Sequence, residues 1–216
     1  MNMYIRTYSC ITNQTASVNG LPLLVDITEN DAFLTSLYRA LKIDYAKFFK
    51  MDNLSKLGFL AAELIFKEET VRFEPREDIA VVCFNKSSSL DTDTKYQETI
   101  QRADNYFPSP SIFVYTLPNL VTGEIAIRNK LHGETSFYVL QQSDAEVMYR
   151  TVVNAFRDKN TRSVLLAWVE YFENVCEAFM MLVDTDKVSE WSFTLEQIKK
   201  LINNTNNHRK CSHNIK

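Results

Sequence analysis

The chain has 216 residues, of which 45% are hydrophobic, so it is long enough and apolar enough to fold around a core of its own. Its formal net charge of −3 gives no general attraction to nucleic acid or to anionic lipid, which argues against either as a partner. The four cysteines form neither a C-x-x-C pair nor a cluster with histidine at zinc-ligand spacing, so we expect reduced thiols and no metal or other cofactor. The opening residues lack the basic and apolar regions of a secretion signal, which favours a cytoplasmic location.

Strand and helix patterns alternate from the beginning of the chain. Tyr4 to Ile11 alternates bulky and polar side chains, as a strand does. Ile79 to Phe84 is a short continuous apolar run, typical of a strand covered on both faces. Between them, Asp52 or Asn53 can cap a helix whose apolar residues share one face, namely Leu54, Leu57, Ala61, Leu64 and Ile65.

The alternation continues to the end of the chain. Asp91 to Asn105 is compatible with a helix, and Ser136 to Leu140, Val164 to Val169 and Ala178 to Val183 are strand candidates. The polar segment from Asn203 to Lys216 is expected to be frayed. After Ser136 to Leu140 we expect a helix with the following residues facing inward: Val147, Thr151, Val152, Ala155 and Phe156. This order indicates an α/β layered sheet.

The apolar stretch from Ser163 to Val183 is not a membrane span, because Glu170, Glu173 and Glu177 interrupt it. The sequence also contains none of the general catalytic motifs for hydrolysis, nucleotide binding or zinc-dependent chemistry. The three histidines lie apart, and a lone histidine has no partner to tune its pKa. The residues by themselves therefore predict an α/β domain without a visible active site.

The segment from Pro110 to Gly133 resembles a segment of the β-ketoacyl-acyl-carrier-protein synthases that reads P-x-x-x-x-x-T-x-x-N-x-x-A-G-x-I-A-I-x-x-G-x-x-G-P. The chain retains the family residues Thr116, Asn119, Gly123 and Gly133, together with the Ile-Ala-Ile core. Upstream, Lys50-Met-Asp is similar to the Arg-Met-Asp helix start of that family. The resemblance covers residues 3–185 in family order.

The resemblance implies the N-terminal half of a thiolase-like fold, with a mixed five-stranded sheet and helices on both faces. We expect a synthase-like domain over residues 1–190, followed by a C-terminal helix and polar tail over residues 191–216. The C-terminal half of the family, which supplies two catalytic histidines, has no counterpart in the chain.

The resemblance also indicates which residue occupies the position of the family's catalytic nucleophile. When the family pattern is extended without a gap, its Thr-Ala-Cys turn falls on Leu140-Gln141-Gln142, so Gln142 occupies the cysteine position. In an active synthase, that cysteine lies at a helix N-terminus, which favours a thiolate and stabilises the oxyanion. A carboxamide cannot attack a thioester, so no residue of this chain is expected to be catalytic. The family's Gly-Pro is also replaced, by Gly133-Glu134.

Glutamine at this position is found in chain length factors, which pair with an active ketosynthase, and in loading synthases that only decarboxylate malonyl groups. The second class needs the two histidines. The resemblance therefore implies a chain-length-factor-type subunit of fatty-acid or polyketide-type biosynthesis, most similar to those of aryl-polyene and flexirubin-type pigment systems. Its expected partner is a full-length ketosynthase in a heterodimer, and an acyl carrier protein is a second candidate partner.

In the family, the strand that matches Ser136 to Leu140 pairs with its counterpart in the partner subunit, which places Phe137 and Val139 at the interface. Phe113, Tyr115 and Leu117 are expected to shape the far end of the partner's acyl tunnel. Aromatic residues near two prolines are also common in ordinary core packing, and that alternative stays open.

Two other functions remain open at this point. The chain could form a homodimeric scaffold or a module that binds acyl carrier protein, although Arg157, Lys159 and Arg162 form only a weak basic cluster. It could also retain a residual decarboxylase or a repurposed site around Gln142, near Glu134 and Asp144.

Overall fold

The computed structural model describes residues 2–27, 32–67, 69, 71–104, 106–187 and 189–212, and side chains as far as residue 203. Its strands and helices, in chain order, are β1 (Tyr4–Ile11), β2 (Ala16–Val18), β3 (Leu21–Pro22), α1 (Phe33–Ala40), a 3-10 helix (Ala46–Lys50), α2 (Asn53–Phe66), β4 (Ile79–Asn85), α3 (Leu90–Ile100), α4 (Pro110–Val114), α5 (Leu120–Asn129), β5 (Thr135–Val139), α6 (Ala145–Ala155), β6 (Ser163–Phe172), β7 (Val175–Asp184) and α7 (Leu195–Ser212).

The strands form one mixed sheet in the order β3-β2-β1-β7-β6-β4-β5. Strand β4 is parallel to β5 and β6, whereas β7 is antiparallel to β6 and β1. The predicted α/β class and all five predicted strands are confirmed, but within the described residues the sheet has seven strands. The sequence analysis missed β2 and β3 because strands of three and two residues are too short to show alternation.

Both faces of the sheet are covered, and each carries its own hydrophobic cluster. Alternate residues of β6 point to opposite sides, so that Leu165 faces α2 and α5 while Leu166 faces α6 and α7. We name these the α2 face and the α6 face. Because both are buried, β4 and most of β6 consist of continuous apolar runs, as the sequence predicted.

Helix α2 begins where expected, with the side chain of Asp52 accepting a hydrogen bond from Ser55 N at 2.9 Å. Every residue from Leu54 to Phe66 except Lys56 is buried, so the helix is covered on nearly all sides rather than on one face. The predicted apolar stripe was therefore correct but too narrow. Helices α1 and α5 contact α2 along with the sheet, which accounts for the difference.

Helix α6 differs from the expectation in its orientation. Met148, Val152 and Ala155 are buried, whereas Val147, which was expected to face inward, is exposed. Helix α7 packs beside α6 on the same face, and its Ile198 is fully buried. The contacts of α6 with α7, β4 and β6 decide which of its apolar residues are covered.

Helix α7 continues to Ser212, so it includes most of the segment from Asn203 that was predicted to be frayed. Residues 213–216 lie outside the described part of the chain. The long apolar stretch from Ser163 to Val183 forms β6 and most of β7. Across the described residues, no helix is long and apolar enough to cross a membrane.

Candidate functional site

Gln142, which the sequence analysis matched to the nucleophile position, lies in the loop between β5 and α6. The backbone N–H of Leu140 donates to Asn85 O at 2.8 Å, which ties the start of this loop to the end of β4. Gln142 lies on the loop with an exposed side chain. The loop thus follows a strand and precedes a helix, as a nucleophile turn does, but it carries a carboxamide in solvent.

The N-terminus of α6 is capped by a side chain of the same chain. Asp144 is the N-cap residue, and its Oδ1 accepts hydrogen bonds from Glu146 N at 2.9 Å and Val147 N at 3.1 Å. These are N–H groups of the kind that stabilise an anion at a helix N-terminus. Since a carboxylate already engages them, this terminus offers little to a thiolate or an oxyanion.

Other candidate nucleophiles are also disfavoured. Burial raises the pKa of Cys83 on β4 to about 12. Burial and the neighbouring carboxylate of Glu177 raise the pKa of Cys176 to about 12. Both thiols are therefore protonated at neutral pH.

His132 is the one histidine whose side chain lies within the described residues, and it precedes β5 rather than lying on the loop after it. His132 is exposed, and its backbone N–H donates to Arg76 O at 2.6 Å. The side chains of His208 and His213 lie outside what the structure describes. Within the described residues, no group of three or more His, Cys, Asp or Glu side chains is placed to hold a metal ion.

Strand β5 lies at the edge of the sheet. It pairs in parallel with β4, from Val81 opposite Thr135 to Asn85 opposite Val139, and no strand in the described part of the chain pairs with its other side. Its free N–H and C=O groups can therefore accept a strand from another chain.

The side chains of β5 divide between the core and the surface. Phe137 is half-buried against the cluster on the α2 face, whereas Val139 is 53% exposed. Tyr138 points to the opposite side, stacks on Phe84 with ring centroids 5.1 Å apart and is also exposed. The sequence analysis did not select Tyr138, although strand alternation places it opposite Phe137.

A second exposed apolar region, which we name the apolar segment, runs from Tyr106 to Leu117 around the short helix α4. Phe113 and Leu117 are each 57% exposed. The ring of Phe113 contacts Tyr96 of α3, with centroids 5.3 Å apart. Three further side chains of the segment are exposed and were not selected as site residues, namely Tyr106, Phe107 and Val114.

Tyr115 occupies a different environment from its neighbours. It is only 8% exposed, and its hydroxyl donates to Glu124 Oε1 of α5 at 2.8 Å. The exposed Lys47 places its Nζ 2.7 Å from Glu124 Oε2 and so pairs with this buried carboxylate. Burial raises the pKa of Tyr115, and the hydrogen bond to Glu124 raises it further. Tyr115 thus fastens the apolar segment to α5 and to the 3-10 helix.

Two of the four family residues shape the connection between α4 and α5. The carbonyl of Thr116 accepts a hydrogen bond from Ser89 Oγ at 2.7 Å, and Asn119 is the N-cap residue of α5. Gly133 lies against β4, where an added Cβ would be 2.3 Å from Ile79 O. Gly123 lies inside α5, where an added Cβ would meet no atom within 4 Å.

No known protein-family model matches the chain, and no curated protein matches its sequence. Three solved structures are similar. The first is the ishigamide ketosynthase/chain length factor, at 12% identity and a TM-score of 0.62, with 88% of this chain and 64% of that chain covered. The second is the ketosynthase ApeO in complex with its chain length factor ApeC from Xenorhabdus doucetiae, at 13% identity and a TM-score of 0.54, with 86% of this chain and 80% of that chain covered.

The third similar structure is a type II polyketide acyl-carrier protein in complex with its ketosynthase bound to the hexaketide, at 10% identity and a TM-score of 0.56, with 85% of this chain and 62% of that chain covered. The chain thus spans less than two thirds of the length of the first and third of these structures. At such low identity, the similarity concerns the fold. The chain therefore shares the α/β fold of the matched part of these ketosynthase and chain length factor structures.

Proposed function

We propose that this chain is a non-catalytic, ketosynthase-like subunit of the chain-length-factor type, which pairs with an active ketosynthase. The observation that carries the proposal is the loop before α6. It holds Gln142, which the resemblance matches to the cysteine of an active synthase, and two N–H groups of the following helix are engaged by Asp144. A subunit with this fold and this loop can serve as a structural partner, but it cannot transfer an acyl group through this loop.

The same loop argues against a residual decarboxylase. Loss of carbon dioxide from a malonyl thioester leaves an enolate, which needs hydrogen-bond donors directed at its oxygen. Asp144 adds a carboxylate two residues from Gln142, and a negative charge at that place would repel the enolate.

Pairing with another subunit is supported by the edge of the sheet. Strand β5 leaves one side unpaired in the described part of the chain and exposes Tyr138 and Val139. An apolar strand edge exposed to water promotes aggregation unless something covers it. A partner strand would satisfy the free backbone groups and bury these side chains, as expected for a heterodimer of related subunits.

Control of product length is assigned to the apolar segment. Phe113 and Leu117 extend from the surface, while Tyr115 holds the segment in place from below. Within the proposed heterodimer, bulk at Phe113 and Leu117 would close the end of the partner's acyl tunnel, because a longer chain would need space that packed side chains already occupy. An acyl carrier protein would then deliver substrate to the ketosynthase. The finer assignment to aryl-polyene or flexirubin-type pigments is part of this proposal, as are the cytoplasmic location and the domain boundary at residue 190.

The test is co-expression of this chain with a full-length ketosynthase from the same organism, with one of the two proteins tagged. Size-exclusion chromatography with mass determination should show a stable one-to-one complex. A homodimer that ignores the ketosynthase would contradict the proposal and favour the scaffold function. Turnover of malonyl or acyl carrier protein by the purified chain alone would contradict the non-catalytic role.

A further inference from the structure

One half-buried lysine differs from the other half-buried cations of the chain. Among the residues whose side chains the structure describes, four arginines are half-buried and each pairs with a carboxylate, namely Arg6, Arg72, Arg76 and Arg128. Lys56 of α2 is half-buried too, but its ammonium has no hydrogen bond or ion pair with any described residue. Burial of a charge is costly when no partner offsets it, so this environment disfavours the protonated amine.

The carboxylates in the vicinity of Lys56 are engaged by other groups. Both oxygens of Asp52 already accept hydrogen bonds, one from a backbone N–H and one from Thr92 Oγ1, each at 2.9 Å. Asp91, which interacts electrostatically with Asp52, pairs with Lys95 Nζ at 2.6 Å. Neither carboxylate is therefore left to hold a proton on the amine of Lys56.

Lys56 also lies between two cavities and contributes to the wall of both. The larger, of about 320 Å³, lies beside the N-terminus of α1 and the turn between β6 and β7, and its wall includes Phe33 and Val175. The smaller, of about 230 Å³, lies between α2, α3 and α4, and its wall includes Met51 and Ile112. A small molecule can therefore approach the amine, and the apolar walls can hold a short carbon chain.

The surroundings favour the neutral, nucleophilic form of this amine. Burial lowers the pKa of Lys56, the attraction of Asp52 opposes that shift, and repulsion from Lys95 adds to it. Removal from water and a neighbouring cation are the two ways in which proteins activate a lysine as a nucleophile. Every other lysine whose side chain the structure describes is exposed to solvent.

We propose that Lys56 is a modification site, the amine of this chain that accepts an acyl group from small acyl thioesters. The nitrogen lone pair attacks the thioester carbonyl carbon and forms a C–N bond. The C–S bond breaks, and the thiol leaves with the proton that the amine loses. The product is an uncharged amide, so the reaction removes the unpaired charge from its half-buried position. Acyl thioesters are also the reactants of ketosynthases, but the modification itself needs no partner subunit.

The test incubates the full-length chain with S-acetyl-N-acetylcysteamine, a small acyl thioester, and follows acetylation at each lysine by peptide mass spectrometry. Near neutral pH, Lys56 should react at least about fivefold faster than Lys50, which lines the smaller cavity but is exposed. The difference should disappear when guanidinium chloride unfolds the chain. Lys56→Arg, which keeps the positive charge, should remove the fast site and leave the other lysines unchanged.

Two further variants test whether the surroundings set the reactivity. Lys95→Gln removes the neighbouring cation and frees Asp91, so acetylation of Lys56 near neutral pH should slow about twofold or more. Lys50→Gln is the matched control, because it removes a lysine from the same cavity, and it should leave the rate at Lys56 unchanged.

The outcomes are independent of the proposed function. Equal rates at Lys56 and Lys50 in the folded chain would refute this inference, as would a preference for Lys56 that survives unfolding. An unchanged or faster rate at Lys56 in Lys95→Gln would refute it as well. None of these measurements involves a ketosynthase, so failure of the heterodimer would leave this inference standing, and its own failure would leave the heterodimer untouched.

Discussion

The loop before α6 and the edge formed by β5 differ in how their polar groups are used. In the loop, the helix N–H groups are engaged by Asp144 within the same chain. At the edge, one side of β5 has no strand partner among the described residues, and Val139 is exposed. The loop that the resemblance matches to the nucleophile turn of active synthases is capped within its own chain, while the edge that can bind another chain is open. This difference is the one expected for the proposed non-catalytic role.

The largest expected effect is on the open edge. Val139→Asp places a charge where the partner strand would pack, and we expect the affinity for the ketosynthase to fall at least about a hundredfold, as for a buried unpaired charge. The melting temperature of the free subunit should change little, because Val139 is exposed. Binding and thermal denaturation would be measured together.

The control is Val175→Asp, the same substitution at an exposed valine at the start of β7. It should leave binding unchanged. Equal loss of affinity in both variants would show that the β5 edge is no more important for binding than the rest of the surface.

In the apolar segment, a residue proposed to contact the partner can be tested separately from a residue that stabilises the fold. Tyr115→Phe removes the hydroxyl that donates to the buried Glu124, and we expect a loss of about 1–2 kcal/mol, or about 2–8 °C in melting temperature. Phe113→Ala should leave stability nearly unchanged and lengthen the product made by the complex, because it removes exposed bulk. Thermal denaturation and mass spectrometry of the products provide the two measurements. If the complex with Phe113→Ala makes products of unchanged length, Phe113 does not line the tunnel.

A smaller effect tests whether the loop is closed to nucleophilic chemistry. In a Gln142→Cys variant, we expect a thiol pKa at or above the ordinary 8.5 and no acyl-enzyme, because Asp144 engages the helix N–H groups and disfavours a thiolate. Adding Asp144→Asn should increase the rate of alkylation by iodoacetamide near neutral pH by about threefold. The rate would be followed between pH 6 and 10. A thiol in Gln142→Cys with a pKa below 7 would show that the helix terminus is still available to an anion.

The smallest effect concerns the other carboxylate cap, Asp52 of α2, which is more deeply buried. Its burial raises the pKa of Asp52, although hydrogen bonds from Ser55 and Thr92 oppose the shift. A raised pKa favours the protonated folded form, so this contribution is fully present below pH 3.8 and is lost as the pH rises through the folded-state value. Asp52→Asn keeps an oxygen for the cap and removes the titration.

The variant should therefore gain stability relative to wild type as the pH increases from 3 to 7. Melting temperatures of both proteins across that range provide the measurement. A difference that stays flat, or that favours wild type at higher pH, would show that the hydrogen bonds outweigh burial at Asp52.

The sequence predicted the parts of this protein that depend on local pattern. The continuous apolar run of β4 and the alternation of β1 identified strands, because the side-chain period reports how many faces of a strand are covered. Asp52 marked the start of α2 because a short polar side chain can bond to the first N–H groups of a helix. The resemblance to synthases, carried by residues from Pro110 to Gly133, predicted the fold class, which is confirmed, whereas its match of Gln142 to the nucleophile position stays a prediction.

What the tertiary structure decided is which of several similar residues are covered. Phe113, Tyr115 and Leu117 look equivalent in the sequence, but only Tyr115 is buried, with its hydroxyl bonded to Glu124, which in turn pairs with Lys47 of the 3-10 helix. Likewise, Gly58 and Gly123 both lie inside helices, yet only Gly58 faces a neighbour too close for a side chain. Local pattern determines where helices and strands form, whereas burial depends on contacts between residues that are distant along the chain.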